Sequence, residues 1–398
     1  MPIPRERQKL DWGGLEWSSN MPSMPHPELT WEDIVETRQE DVGFSPSESE
    51  KATLALAHLR SVLGEDVMAL SELLLRFLTN RAPWTYRWLV WLSDSLNRLA
   101  PAVGYEKVVK KLRHRKEFVE ALSVIEVAER MHAAGLTVGF ERMVEVRGHR
   151  KRPDLKLEHQ TTGTIFYCEV SVSFSPNKHV DASRSFDRVH CSCFLQGGSS
   201  LSYAGMMQPP TADEEVDELI ELIRSEITEI KSGGSFREIT VPGSLTLALA
   251  PAKEAHLVAA WANARGRCVG SFGIDLGPVD EGARLKAKIE RKVQQLPEGL
   301  PNVLVIPAQG LFLTVADPLS LVPIVTDIIA PYREVAVLVI SGTATVAPSH
   351  PTITAGNHLF ATSERDGQKH QYLVVHNASC CVEIPATTLN KIRAAFSL

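Results

Sequence analysis

Cysteine is scarce: six residues in 398, a usage that fits a reducing compartment and excludes a small disulfide scaffold. No apolar run approaches the roughly eighteen residues of a membrane span, so no membrane partner is expected. The opening residues, MPIPRERQKLDWGG, carry charge where a signal peptide carries its apolar core, and a cytoplasmic protein is expected. The sequence contains neither the G-x-x-x-x-G-K-[ST] phosphate loop nor the G-x-S-x-G nucleophile elbow. Cys191 and Cys193 form a single C-x-C, and Cys380 and Cys381 are adjacent. Neither spacing is that of a zinc site, so buried free thiols are expected. What is present is ordinary globular composition, 44% hydrophobic and 23% charged. The net charge is −6, from 42 Lys+Arg against 48 Asp+Glu. That balance excludes a wholly basic surface but not a local basic patch.

Residues 1–27 hold five prolines (Pro2, Pro4, Pro22, Pro25 and Pro27) and read as a mobile arm. From 28 to 116 apolar residues recur at spacings of three and four, predicting a helical region. Trp84, Trp88 and Trp91 fall on one such face and are expected in its aromatic core. Residues 105–116, YEKVVKKLRHRK, carry Lys107, Lys110, Lys111, Arg113, Arg115 and Lys116 against Glu106. A solvated helix face and a phosphate-facing patch both fit this run. A helix is expected from Glu117 to Ala134, with Gly135 past its end.

The period then changes to two. TVGFERMVEV, RPDLKLEH and TIFYCEVSVSF predict three strands, joined tightly by GHRKR (148–152) and QTTG (160–163). His179 and His190 follow, expected on a loop. Further on come an acidic amphipathic helix at 212–232, a buried strand at SLTLALA, a glycine-rich loop at GSFGIDLG and a charged helix at 281–296. PNVLVIPA then reads as a buried strand. The tail predicts a helix near 318–330, strands at REVAVLVIS and HQYLVVHN, and a last helix from Thr387. Helices alternating with buried strands predict a layered α/β (α+β) fold.

Strand side chains alternate, so Asp154 and Lys156 share a face, as do Tyr167, Glu169, Ser171 and Ser173. Pairing these strands through QTTG brings Asp154 and Glu169 side by side. Two converging carboxylates repel and raise each other's pKa unless a divalent cation sits between them. A small number of hard oxygen ligands with water filling the remainder suits Mg²⁺, with Mn²⁺ as its substitute.

RPDLKLEHQTTGTIFYCEVS resembles the core of the PD-(D/E)XK nuclease superfamily, with Pro153-Asp154 as the PD and Glu169 as the second acid. The order also resembles it: a leading helix, a meander, then a helix and a further strand. The resemblance covers 117–174 well and 280–307 in part. It implies a restriction-endonuclease-like mixed sheet flanked by helices, with core and insertion over 117–310 and C-terminal strands and helices (311–398) packed on it. It implies an acid from the leading helix, Glu126 or Glu120, joining Asp154 and Glu169 as a metal ligand. A Lys or Gln of the later helix, Lys292 or Gln295, would face the site. The activity implied is Mg²⁺-dependent hydrolysis of nucleic acid, DNA before RNA, by a protein that pairs as a homodimer to cut two strands. Arg150, Lys151 and Arg152, with Lys110, Lys111, Arg113 and Arg115, would steer backbone phosphates. The family expects a lysine two residues after the second acid, where this chain has Ser171. Three accounts follow. The lysine has migrated, to Lys156 or to Lys292 or Lys288; or Ser171 suffices beside the metal; or the site is degenerate and the protein is a nucleic-acid or protein binding module.

Overall fold

The computed structural model describes residues 29–39, 45–80, 83–146, 148–174, 177–195, 201–210, 212–277, 279–308, 318–344, 353–365 and 368–397. The expected mobile arm, 1–27, lies outside them. The chain forms two compact units: one from 175–279, the other from 25–174 together with 280–398. No helix among the described residues is long and apolar enough to cross a membrane.

The larger unit begins with helices α1 (Trp31–Gln39), α2 (Pro46–Leu63), α3 (Glu72–Thr79), α4 (Pro83–Leu99) and α5 (Tyr105–Arg113). Helix α2 starts where Ser45 and Glu48 form a reciprocal capping box ahead of Pro46, satisfying two end donors at once. Its far end is held by Arg113, which donates to the Val62 carbonyl from Nε at 2.7 Å and from Nη2 at 2.5 Å. Trp88 and Trp91 pack against the core of this helical layer, as expected; the side chain of Trp84 lies outside the described residues. Helix α6 (Phe118–Ala133) follows, with Phe118, Ala121, Ile125, Ala128 and Met131 buried.

The sheet has eight strands in the order β1-β4-β5-β10-β11-β14-β13-β12. These are β1 (Thr137–Phe140), β4 (Leu155–His159), β5 (Thr164–Val170), β10 (Asn302–Pro307), β11 (Val335–Ala344), β12 (Ile353–Ala355), β13 (His358–Arg365) and β14 (Gln368–His376). β1, β4 and β5 form an antiparallel meander. β10 runs parallel to both β5 and β11, and β11, β14, β13 and β12 are antiparallel. β10 reads NVLVIP because it is covered on both faces. Val303 and Val305 face the N-terminal helices. Leu304 and Ile306 face α10 (Glu281–Val293) and α11 (Pro318–Ile329). The last helix is α12 (Ala386–Ala395).

Three expectations change here. The stretch TVGFERMVEV is not one strand: it breaks at Glu141 between β1 and β2 (Val144–Val146). GHRKR is not only a connection, because β3 (His149–Lys151) lies in it and pairs with β2 as a separate hairpin. The C-terminal strands, expected to pack on the core, are joined to it edge to edge, as further strands of the same sheet.

The smaller unit has a four-stranded sheet, β7-β8-β6-β9, of β6 (Leu201–Met207), β7 (Arg237–Val241), β8 (Leu245–Pro251) and β9 (Phe272–Ile274). Helices α7 (Asn177–His190) and α8 (Asp213–Lys231) bury Val189, Val216 and Ile223 against one face. Helix α9 (Ala255–Asn263) buries Val258 against Ala204, Ala248 and Ala250 on the other. GSFGIDLG is therefore partly strand, and His179 and His190 sit on a helix rather than a loop. Cys193 is buried, Cys191 half-buried, and both are free thiols.

Candidate active site

The site arises where one strand outruns its neighbour. β4 begins at Leu155, opposite Cys168, and that register sets Asp154 across from Glu169. Beyond Val170 the chain stays beside β10, with Ser171 N–H donating to Val305 O at 2.9 Å and Ser173 N–H to Pro307 O at 2.7 Å. On its other edge β4 has ended, and buried backbone groups left there need partners. Side chains supply them. Asp154 Oδ2 accepts the Val170 N–H at 2.9 Å. Lys288 Nζ donates to Val172 O, and Arg284 Nη2 to Phe174 O. In return the Asp154 N–H donates to Glu169 Oε2 at 3.4 Å. The two acids are therefore interlocked, each accepting from the backbone at or next to the other.

Glu169 is 2% exposed, and a carboxylate so placed needs a charged partner. Lys292, on α10, provides it: Nζ lies 2.6 Å from Oε1. Burial, and then the Glu169 charge, push Asp154 up to about 8, against the opposing pull of the Val170 N–H, Lys292 and Lys111. Burial also raises Glu169, with Lys292 opposing it. Lys288, one turn before Lys292, is lowered to about 8 by burial and by the charges of Arg291 and Lys292.

Asp154, Glu169 and Lys292 line a cleft of ≈ 200 Å³ with Lys111, Glu120, Glu141, Arg152 and Gln295, and Lys288 lies outside that lining. Arg152 sits on the turn before Pro153. Gln295 follows α10, its N–H donating to Lys292 O at 2.9 Å. Helix α5 contributes Lys111, whose Nζ lies 2.5 Å from Glu141 Oε1. Burial alone would lower Lys111, but the hydrogen bond and charge of Glu141, aided by Asp154, leave it raised. Glu141 follows β1 with φ 41°, a left-handed conformation uncommon for any residue with a Cβ. Its N–H donates to Asp154 O at 2.9 Å, and Lys107 Nζ donates to its carbonyl at 3.4 Å.

The expected residues divide. Asp154, Glu169, Lys292, Gln295, Lys111 and Arg152 meet at the cleft. Lys156 does not line it; it sits across from Tyr167, two pairs further along β4 and β5. Ser171 does not line it either; it is buried beside β10, to which its N–H donates. Glu126 is turned away, 3.7 Å from Arg130. Glu120 is the α6 acid at the cleft, because six residues rotate an α-helix well past a whole turn. Arg113 clamps α2, and Arg115 lies 3.9 Å from Glu72. Lys110 is exposed. Arg150, on β3, is exposed opposite Glu145, and Lys151 is half-buried. Glu141 had no sequence signal: nothing marks a glutamate for a left-handed turn. Its one oblique cue is Gly104 (φ 87°), where a Cβ would meet the Phe140 carbonyl.

Among the described residues no three or more His, Cys, Asp or Glu side chains cluster as a metal-binding group. Asp154 and Glu169 form a two-carboxylate donor set. Such a set fits a hard divalent cation that keeps most of its water, as Mg²⁺ does, and not a closed zinc site. Comparison with protein-family models, with curated proteins and with solved structures finds no match to the chain.

Proposed function

We propose that the protein is a metal-dependent nuclease that hydrolyses phosphodiester bonds, with Asp154 and Glu169 as the ligands of Mg²⁺ or Mn²⁺. The observation that carries the reading is Lys292 Nζ, 2.6 Å from Glu169 Oε1. It places an ammonium beside the acid pair although Ser171 stands where the resemblance expects lysine. The order α6-β1-β4-β5-α10-β10, with an antiparallel meander and a parallel fourth strand, supports the reading as well. It is the order that the PD-(D/E)XK resemblance implies.

A bound divalent ion supplies Lewis acidity and lowers the pKa of water. The chain's own groups do the rest. A proton held by Asp154 sits on Oδ1, because Oδ2 accepts from Val170; it must leave before the carboxylate can serve as a ligand. Lys292 donates to the phosphate oxygens on which charge builds. The Gln295 amide orients the attacking water, and Arg152 holds a neighbouring phosphate. DNA is the proposed substrate and the cytoplasm the proposed location, with a homodimer as the form that cuts both strands.

A second reading, a non-catalytic nucleic-acid or protein binding module, is favoured by the near-complete burial of Glu169. A plasmid-nicking assay in Mg²⁺ or Mn²⁺ separates the two. Metal-dependent nicking by wild type that Asp154→Ala abolishes supports the nuclease. No nicking, or equal nicking by the variant, supports the binding module.

A further inference from the structure

Helix α5 buries Val108, Val109 and Leu112 in the helical core and turns Lys111 toward the cleft. That lysine and Lys292 reach the cleft from different helices, so the acid pair is bracketed by two ammonium groups. Lys292 rests on Glu169, an acid of the pair itself. Lys111 rests on Glu141, which is outside the pair. The Lys111 side chain is 39% exposed and that of Glu141 15%, so a ligand entering the cleft can reach the lysine.

Glu141 is held at three points: its carboxylate by Lys111, its carbonyl by Lys107 and its N–H by Asp154 O. It is the one non-glycine with positive φ among the described residues. An ordinary surface ion pair does not require a left-handed backbone, and such conformations gather at functional sites. A carboxylate and a phosphate are alternative partners for one ammonium.

We propose that Lys111 is a phosphate-contacting residue of this cleft and that Glu141 is its positioning residue, occupying the ammonium until a strand phosphate displaces the carboxylate. The assignment rests on the nuclease reading and adds a residue from the N-terminal helices to its substrate contacts. Glu141 thus competes with the substrate for Lys111 while keeping the lysine aimed into the cleft.

The test measures binding of fluorescein-labelled single-stranded and duplex DNA oligonucleotides to the full chain by anisotropy, in EDTA so that nothing is cut. Lys111→Gln weakens binding about tenfold and reduces the salt slope by about one phosphate contact. Glu141→Gln tightens binding about threefold, because the competitor and its repulsion are both removed. In the Lys111→Gln background the Glu141→Gln gain disappears. Lys51→Gln, exposed on α2, changes nothing and controls for net charge. Glu141→Gln that leaves binding unchanged or weaker, or that gains equally without Lys111, overturns the assignment even if Lys111→Gln folds poorly. Wild type that binds neither DNA sinks the nuclease reading along with it. Wild type that binds while Lys111→Gln matches it sinks the Lys111 assignment alone.

Discussion

Replacing Asp154 with Asn should make the protein more stable and, if it is a nuclease, inactive. Folding carries Asp154 from an ordinary 3.8 to about 8, so at pH 7 the native chain holds a proton that the unfolded chain has released. Taking it up costs about 1.4 kcal/mol for each pH unit above the ordinary value, which sets a ceiling of about 4 kcal/mol at pH 7. Asparagine keeps an oxygen for the Val170 N–H, turns an amide toward Glu169 and does not titrate. The native state binds the extra proton, so wild-type stability falls as pH rises from about 4 through about 8. Asp154→Asn lacks that dependence. Its advantage should be about 1–4 kcal/mol at pH 7, several degrees in Tm, and should vanish near pH 4. Thermal melting of both proteins from pH 4 to pH 8 reads it directly. Added Mg²⁺ should raise the melting temperature of wild type and leave the variant where it was. An Asp154→Asn protein that melts at or below wild type at pH 7, or an advantage independent of pH, refutes the reasoning.

Lys292→Met leaves the Glu169 carboxylate buried without its cation and should cost about 3 kcal/mol in urea unfolding; adding Glu169→Gln should recover much of that loss. Gly104→Ala places a Cβ against the Phe140 carbonyl at φ 87° and should destabilise by about 2 kcal/mol, seen as a lower denaturation midpoint. Arg113→Ala frees the Val62 carbonyl at the end of α2 and should cost about 1 kcal/mol while DNA affinity holds; a marked fall in affinity would restore Arg113 as a phosphate contact.

The acid pair was legible because it is local. Two-residue alternation and a four-residue turn set Asp154 against Glu169 without reference to the rest of the chain. The choice between Lys156 and Lys292 was not legible. It depends on how α10 packs, and Lys292 lies 123 residues from its partner. Glu120 and Glu126 could not be separated because α6 is apolar around much of its circumference, which hides the face that meets the sheet. β10 and β11 stood out as apolar runs, whereas β13, HLFATSER, did not. Its cross-strand neighbours rather than its own residues make it a strand. The basic run at 105–116 fits a solvated face and a phosphate-facing patch equally as sequence, and its members part company. Lys111 enters the cleft, Arg113 caps a helix and Lys110 faces solvent, a division set by helical rotation that a charge count does not contain.

The chain leaves the larger unit after Phe174 and returns at Asp280, and Arg284 ties the two crossings together at the Phe174 carbonyl. The two ends from which 175–279 departs are thus joined to each other within the larger unit. Glu169 lies just before the departure and Lys292 just after the return, so both partners of the ion pair belong to the larger unit. A lineage could lengthen, shorten or exchange that intervening unit while the charged centre kept its dimensions. The clasp is thus a port, through which a different inserted unit can be fitted beside an unaltered charged cleft.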